Sequence, residues 1–208
     1  MIFCQGCPWR CGYCQNTHLI PPRAEHLLPW PDVIAFLQRR RGLLDAVVFS
    51  GGEPTLQSIL PEAIREVREL GFKIGLHTAS PYPDRFKNLL PLLDWVGLDI
   101  KAPFDRYDLV SGVPNSGTHA REGLSLLLES GLNYEVRTTV HPQFHSAADL
   151  IRLAEELQGL GVENYAMQEF RPQGCTDAGL CAAALPLLND ELTGVIAPLF
   201  KQFILRQA

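Results

Sequence analysis

Short apolar runs alternate with helical patterns along this chain, and no other feature restricts its fold as much. The runs are "MIFC" at 1–4, "AVVFS" at 46–50, "KIGLH" at 73–77, "WVGLDI" at 95–100, "YEVRTTV" at 134–140 and "NYAMQEF" at 164–170. Several are almost continuously apolar, as parallel strands covered on both faces are. Val, Ile and Phe recur in them, which favours strand over a short helix. Helical patterns lie between. Val33, Ile34 and Leu37 mark a face in 32–41, with Arg39 to Arg41 at the end that suits the dipole. In 59–70, Pro61 and Glu62 open a helix, Ile64, Val67 and Leu70 line it, and Gly71 ends it. A third pattern covers 83–92. A fourth, 118–130, carries Leu124, Leu127 and Leu128 before Gly131. A fifth opens on "SAAD" at 146–149, a serine cap with an acid three residues on. The tail from about 187 to 208 also reads as helical, with an interruption expected at Pro198.

Six β-α units predict an α/β fold with parallel strands and right-handed crossovers. Eight units in a closed barrel take about 250 residues. The 208 residues present suit six units, hence an open, partial (β/α)6 TIM-like barrel in a single domain. A doubly wound sheet is the structural alternative. "SGVPNSGT" at 111–118 reads as a loop.

In such folds the site lies at the C-terminal ends of the strands. The first run ends in a cysteine-rich loop and the second in "SGGEP". The third ends in His77 and Thr78. Asp99 and Lys101 close the fourth, two residues apart and so on one face. Arg137, Thr139 and His141 share a face of the fifth, and Gln168 stands on the sixth. Together they point to a large polar ligand across the barrel mouth.

Cys7, Cys11 and Cys14 in "CPWRCGYC" are spaced C-x3-C-x2-C, with Cys4 just upstream. A structural zinc site takes four ligands, usually as two pairs separated by a longer loop, and residues 4–14 have no such loop. The net charge of −5 argues against a generic nucleic-acid binder. No apolar run reaches the roughly 18 residues of a membrane span, and the start lacks the apolar stretch of a secretory signal. The expectation is a cytoplasmic chain with neither nucleic acid nor membrane as partner, in which the six cysteines are not disulfide-bonded. Iron–sulfur clusters are held by closely spaced thiolates. Three ligands on a four-iron cluster leave one iron open, which suggests a catalytic cluster.

"CPWRCGYC" resembles the cluster motif of the radical S-adenosylmethionine (SAM) superfamily, whose three cysteines bind a [4Fe-4S] cluster. "SGGEP" resembles that family's Gly-Gly-Glu element, and the partial (β/α)6 barrel is the fold implied. "FCQGCPWRCGYCQN", "VVFSGGEPTLQ", "GLHTA", "GLDIKAP" and "FRPQGC" together look like the activating proteins of anaerobic (class III) ribonucleotide reductases. Larger activases of this group insert a ferredoxin-like segment with further clusters. "QNTHLIPPRAEHLLPW" has no cysteine, so one cluster is expected.

The resemblance implies reductive cleavage of SAM to methionine and a 5′-deoxyadenosyl radical. The radical takes a Cα hydrogen from a glycine of the partner, anaerobic ribonucleoside-triphosphate reductase. A low-potential donor such as flavodoxin or ferredoxin supplies the electron. Cys7, Cys11 and Cys14 are the implied ligands, and Tyr13 packs near the adenine. Gly51 and Gly52 allow backbone approach to the methionine amino group. Glu53 accepts from that ammonium or braces its loop. Lys101 meets the SAM carboxylate, and Asp99 takes a ribose hydroxyl or fixes Lys101; an internal ion pair is the plainer reading. Thr78, Arg137 and Gln168 are further candidate ligand contacts, each with a structural alternative. Cys4, Cys175 and Cys181 read as free thiols, and "VHPQFH" as loop. Relatives of this type usually carry a segment before "MIFC", so a truncated first strand or an internal start is expected. In the pyruvate formate-lyase type of activase an Asp stands where His77 is and helps hold a monovalent cation, so that cation site is in doubt here. A small-molecule radical SAM enzyme, such as a deazaguanine synthase, and a non-catalytic metal-binding module are the other readings.

Overall fold

The structure, a computed structural model, describes residues 1–182 and 187–207. Its strands are β1 (Ile2–Cys4), β2 (Ala46–Gly51), β3 (Lys73–Thr78), β4 (Trp95–Asp99), β5 (Asn133–Val140), β6 (Asn164–Glu169) and β7 (Gln202–Arg206). They form one parallel sheet in sequential order, in which β1 and β7 are the two edges. Sequential order with every neighbour parallel requires each connection to cross one face. The sheet therefore curls into an open barrel with its helices outside.

The helices are α1 (Trp30–Gln38), α2 (Leu60–Glu69), α3 (Pro83–Leu89), α4 (Tyr107–Ser111), α5 (Ser116–Ser130), α6 (Ala147–Gly159), α7 (Ala178–Ala182) and α8 (Asp190–Ile196). The cap expected at Ser146 is a full capping box: its side chain accepts from the Asp149 amide while Asp149 accepts from the Ser146 amide. Ile64, Leu124, Leu127, Leu153 and Leu157 are fully buried against the helix-facing side of the sheet, on which Leu76, Leu98 and Val136 stand.

Two expectations need correction. The tail is not helical throughout. After α8, a short 3-10 turn at Ala197–Leu199 gives way to β7, which pairs with β6 from Asn164↔Gln202 to Gln168↔Arg206. Pro198 ends the helix, and "QFILR" finds its ladder partners in β6. Among the described residues the barrel thus has seven strands rather than six; Ala208 lies outside them. The loop drawn at 111–118 is also shorter, because Ser116–Thr118 already belong to α5. Asp108 is the reason: its carboxylate accepts from the amides of Asn115 and Ser116 and fixes that helix start.

Candidate active site

Alternation along each strand sorts side chains by face. Leu76, Leu98, Val136 and Thr138 are buried under the helices. His77, Asp99, Arg137, Thr139 and Gln168 occupy the alternate, half-buried positions that line the concave face. Arg137 donates to Asp99 Oδ1 from both Nε, at 2.9 Å, and Nη2, at 2.7 Å. Its Nη1 lies 3.1 Å from His77 Nε2. A guanidinium only donates, so Nε2 accepts and the His77 proton sits on Nδ1. Nδ1 is 3.3 Å from Ser50 Oγ and donates to it. Burial, then the Arg137 charge, pushes the His77 pKa down to about 4. Lys101 Nζ lies 3.9 Å from Asp99 Oδ2 and 5.9 Å from the centre of the Tyr13 ring. Burial works against the Lys101 charge, but Cys11, Tyr13 and Asp99 outweigh it and hold its pKa well above the ordinary value. Burial likewise raises the Asp99 carboxyl, and Arg137 with Lys101 more than reverses that. Gln168 donates to its lateral neighbour Thr139 at 2.7 Å.

The cysteine loop lies across this opening. Its backbone is tied on several sides: the Gly6 amide donates to Leu19 at 2.7 Å, the Cys7 amide to Ile20 at 3.1 Å, and the Arg10 amide to Ser111 at 2.8 Å. Trp9 and Tyr13 are the buried anchors. Trp9 meets the edge of Tyr107, and Tyr13 meets Phe144 edge-on, each with 5.6 Å between ring centres. Cys7, Cys11 and Cys14 are half-buried.

The glycines of "SGGEP" have a job that sequence reasoning missed. Gly51 has φ +114°, and a Cβ there would collide with the backbone of Cys4. A Cβ on Gly52 would strike the carbonyl of Gly6. The Gly52 amide donates to Cys4 at 2.9 Å and the Glu53 amide to Gly6, also at 2.9 Å. The backbone these glycines admit is the chain's own cysteine loop. Glu53 is 2% exposed and accepts four hydrogen bonds. Its Oε1 accepts from the Thr55 amide and from the hydroxyls of Thr55 and Thr78, and its Oε2 accepts from the Ala79 amide. These bonds brace the loop after β2 against the end of β3. Thr78 is spoken for in the same way, on the face opposite to His77.

"VHPQFH" is more than loop. Phe144 packs on Gly12 and Tyr13, and His145 Nε2 lies 2.7 Å from the Lys101 carbonyl. No period in the sequence marks these contacts. The donors expected near a metal fit an iron–sulfur cluster. Three thiols stand on one loop within eight residues, and the Lys101 cation is near enough to Cys7 and Cys11 to favour their thiolates against burial. Burial raises Cys7 to about 12, and a bound cationic centre would relieve that cost. Among the described residues, no three His, Cys, Asp or Glu gather round the position of a single ion. The buried hydroxyl of Tyr13 has no hydrogen-bond partner, which leaves a polar atom available at the loop.

The fold and this loop define a SAM-dependent iron–sulfur protein, and residues 1–157 match the radical SAM superfamily. The chain belongs to that superfamily, whose members use a [4Fe-4S] cluster and SAM. It is 27% identical over 197 residues to a protein of Methanocaldococcus jannaschii provisionally named a glycyl-radical enzyme activating enzyme, covering 91% of this chain and 80% of that one. It is 27% identical over 158 residues to the pyruvate formate-lyase-activating enzyme of Clostridium pasteurianum, covering 73% and 66%. A 7-carboxy-7-deazaguanine synthase of Methanopyrus kandleri is 34% identical, over 47% of each chain. Among solved structures, Streptococcus suis SuiB bound to its precursor peptide SuiA superposes with a TM-score of 0.73 at 14% identity. That likeness shows the fold, and the chain spans about half of SuiB: 98% of this chain matches 47% of that one.

Proposed function

We propose that this chain is a glycyl-radical enzyme activase whose target is the anaerobic ribonucleoside-triphosphate reductase. The observation that carries the reading is the match along 91% of the chain to a relative named for glycyl-radical enzyme activation. The short cysteine-free link from Gln15 to Pro29 agrees with it, since it offers no second cluster. Cys7, Cys11 and Cys14 would hold the cluster. When bound, cluster and SAM supply a 5′-deoxyadenosyl radical, formed with methionine by one electron from a donor such as flavodoxin or ferredoxin, which takes the Cα hydrogen of the target glycine. The protein's share is orientation and exclusion of water. Lys101 and Arg137 present two cations against the one carboxylate of Asp99, leaving a positive charge to meet the SAM carboxylate. Tyr13 offers a buried ring and a free hydroxyl to the adenosine. Gln168 and Thr139 offer donors further along the concave face. Gly51, Gly52, Glu53 and Thr78 act by fixing the cluster loop, which keeps the backbone after β2 at the ligand. Both partners would meet in the cytoplasm; no helix among the described residues is long and apolar enough to cross a membrane.

The test is anaerobic reconstitution and reduction, followed by SAM and the candidate reductase. The expected result is 5′-deoxyadenosine together with a glycyl-radical EPR signal on the reductase. The second reading, a small-molecule enzyme, draws on the deazaguanine synthase match. It predicts 5′-deoxyadenosine without a radical on any protein.

A further inference from the structure

We propose that Arg137 is the built-in cation of the concave face, standing between His77 and Asp99 where a monovalent metal ion would otherwise be needed, and that it positions both residues for the ligand. The cation site associated with pyruvate formate-lyase-type activases does not fit the residues present. A hard cation wants several oxygen donors carrying net negative charge. Here Asp99 Oδ1 already accepts twice from Arg137, at 2.9 and 2.7 Å, and its Oδ2 faces Lys101 Nζ at 3.9 Å. The neighbouring donor is a neutral imidazole whose lone pair is taken by Arg137 Nη1 at 3.1 Å. One carboxylate thus confronts two fixed cations, and a third would be repelled.

The sheet makes room for this arrangement. Gly97 pairs with His77 on one side and Glu135 on the other, and a Cβ on it would come within 3.1 Å of Arg137 Cζ. Ala166, opposite Arg137 on β6, leaves the other flank open. The guanidinium fills the gap between these two small residues with its side chain 13% exposed. Its charge is permanent and its fork is planar, so it fixes a geometry that a mobile ion or a lysine does not.

The proposal requires only that the chain bind SAM, whichever substrate it acts on. SAM affinity of the reconstituted protein is measured in sodium, potassium and tetramethylammonium chloride at equal ionic strength, for the wild type, Arg137→Lys and Arg137→Gln. In the wild type the dissociation constant is expected to vary by less than about twofold across the salts. Arg137→Gln is expected to weaken binding about tenfold in tetramethylammonium, as loss of charged hydrogen bonds does, with Arg137→Lys recovering part of it. Melting of the ligand-free wild type in the same salts is expected to show no selective rise with sodium or potassium. A wild type whose SAM affinity tightens about fivefold or more in sodium or potassium, or whose melting temperature those ions selectively raise, overturns the proposal. So does Arg137→Gln binding SAM as the wild type does.

Discussion

Glu53 and Thr78 are joined by a 2.7 Å hydrogen bond, the carboxylate from the loop after β2 and the hydroxyl from the end of β3. Glu53 takes three further donors, and it is buried. Burial pushes its carboxyl pKa up, against the bonds from Thr55, Thr78 and Ala79. Glu53→Ala would strand those donors in the interior. The expected loss is about 3 kcal/mol in urea unfolding, near the figure for a broken buried charge network. Thr78→Val, which removes one donor of four, is expected to cost about 1 kcal/mol.

Gly51 and Gly71 both have positive φ, +114° and +94°, yet only Gly51 has neighbours that a Cβ would strike. Alanine at either position costs backbone strain, of order 1 kcal/mol. Gly51→Ala is expected to cost about 1–3 kcal/mol more, from collision with Cys4, and to lower the iron retained after reconstitution. Gly71→Ala is expected to keep its iron. Melting curves and iron analysis of the two variants check this.

The chemistry-bearing loop was legible because its determinants are local. Three cysteines within eight residues and a Gly-Gly-Glu after a strand need no tertiary information. Strand positions were legible because β2 to β6 are apolar runs between helical patterns. What stayed hidden depends on residues far apart in sequence. Gly51 meets Cys4 across 47 positions, and β7 is a strand because β6 offers it a ladder. Thr78 and His77 are adjacent in sequence, and only the register of β3 sends one to Glu53 and the other to Arg137. The break at Pro198 followed by "QFILR" was the available signal for the seventh strand.

That strand is tied in by a forked ion pair. Arg206 Nη1 and Nη2 donate to the two oxygens of Glu135, each at 2.8 Å, reaching over β6. Arg206 is partly exposed, so Arg206→Gln is expected to cost only about 1 kcal/mol. Hydrogen exchange should rise at 202–206 and stay unchanged at 46–51.

His77 has a folded-state pKa of about 4, below its ordinary 6.5, because of burial and the Arg137 charge. Between those values the unfolded chain takes up a proton that the folded chain refuses. Stability therefore falls as pH drops from about 6.5 to about 4, and this contribution is level above 6.5. Allowing for partial exposure, the loss is at most about 2 kcal/mol. His77→Gln keeps an acceptor for Arg137 and does not titrate, so urea unfolding at a series of pH values is expected to show a flatter acid limb. An unchanged limb would contradict the assignment of that proton.

The central claim, that the radical made here is delivered to a backbone glycine, is tested most directly by deuterium transfer. The candidate reductase is prepared with Cα-deuterated glycine and incubated with the reduced, reconstituted chain and SAM. The account predicts deuterium in the 5′-deoxyadenosine and a glycyl-radical signal on the reductase, both lost in Cys7→Ser, Cys11→Ser and Cys14→Ser and both retained in Cys4→Ser. Unlabelled 5′-deoxyadenosine with no radical on the reductase would contradict it.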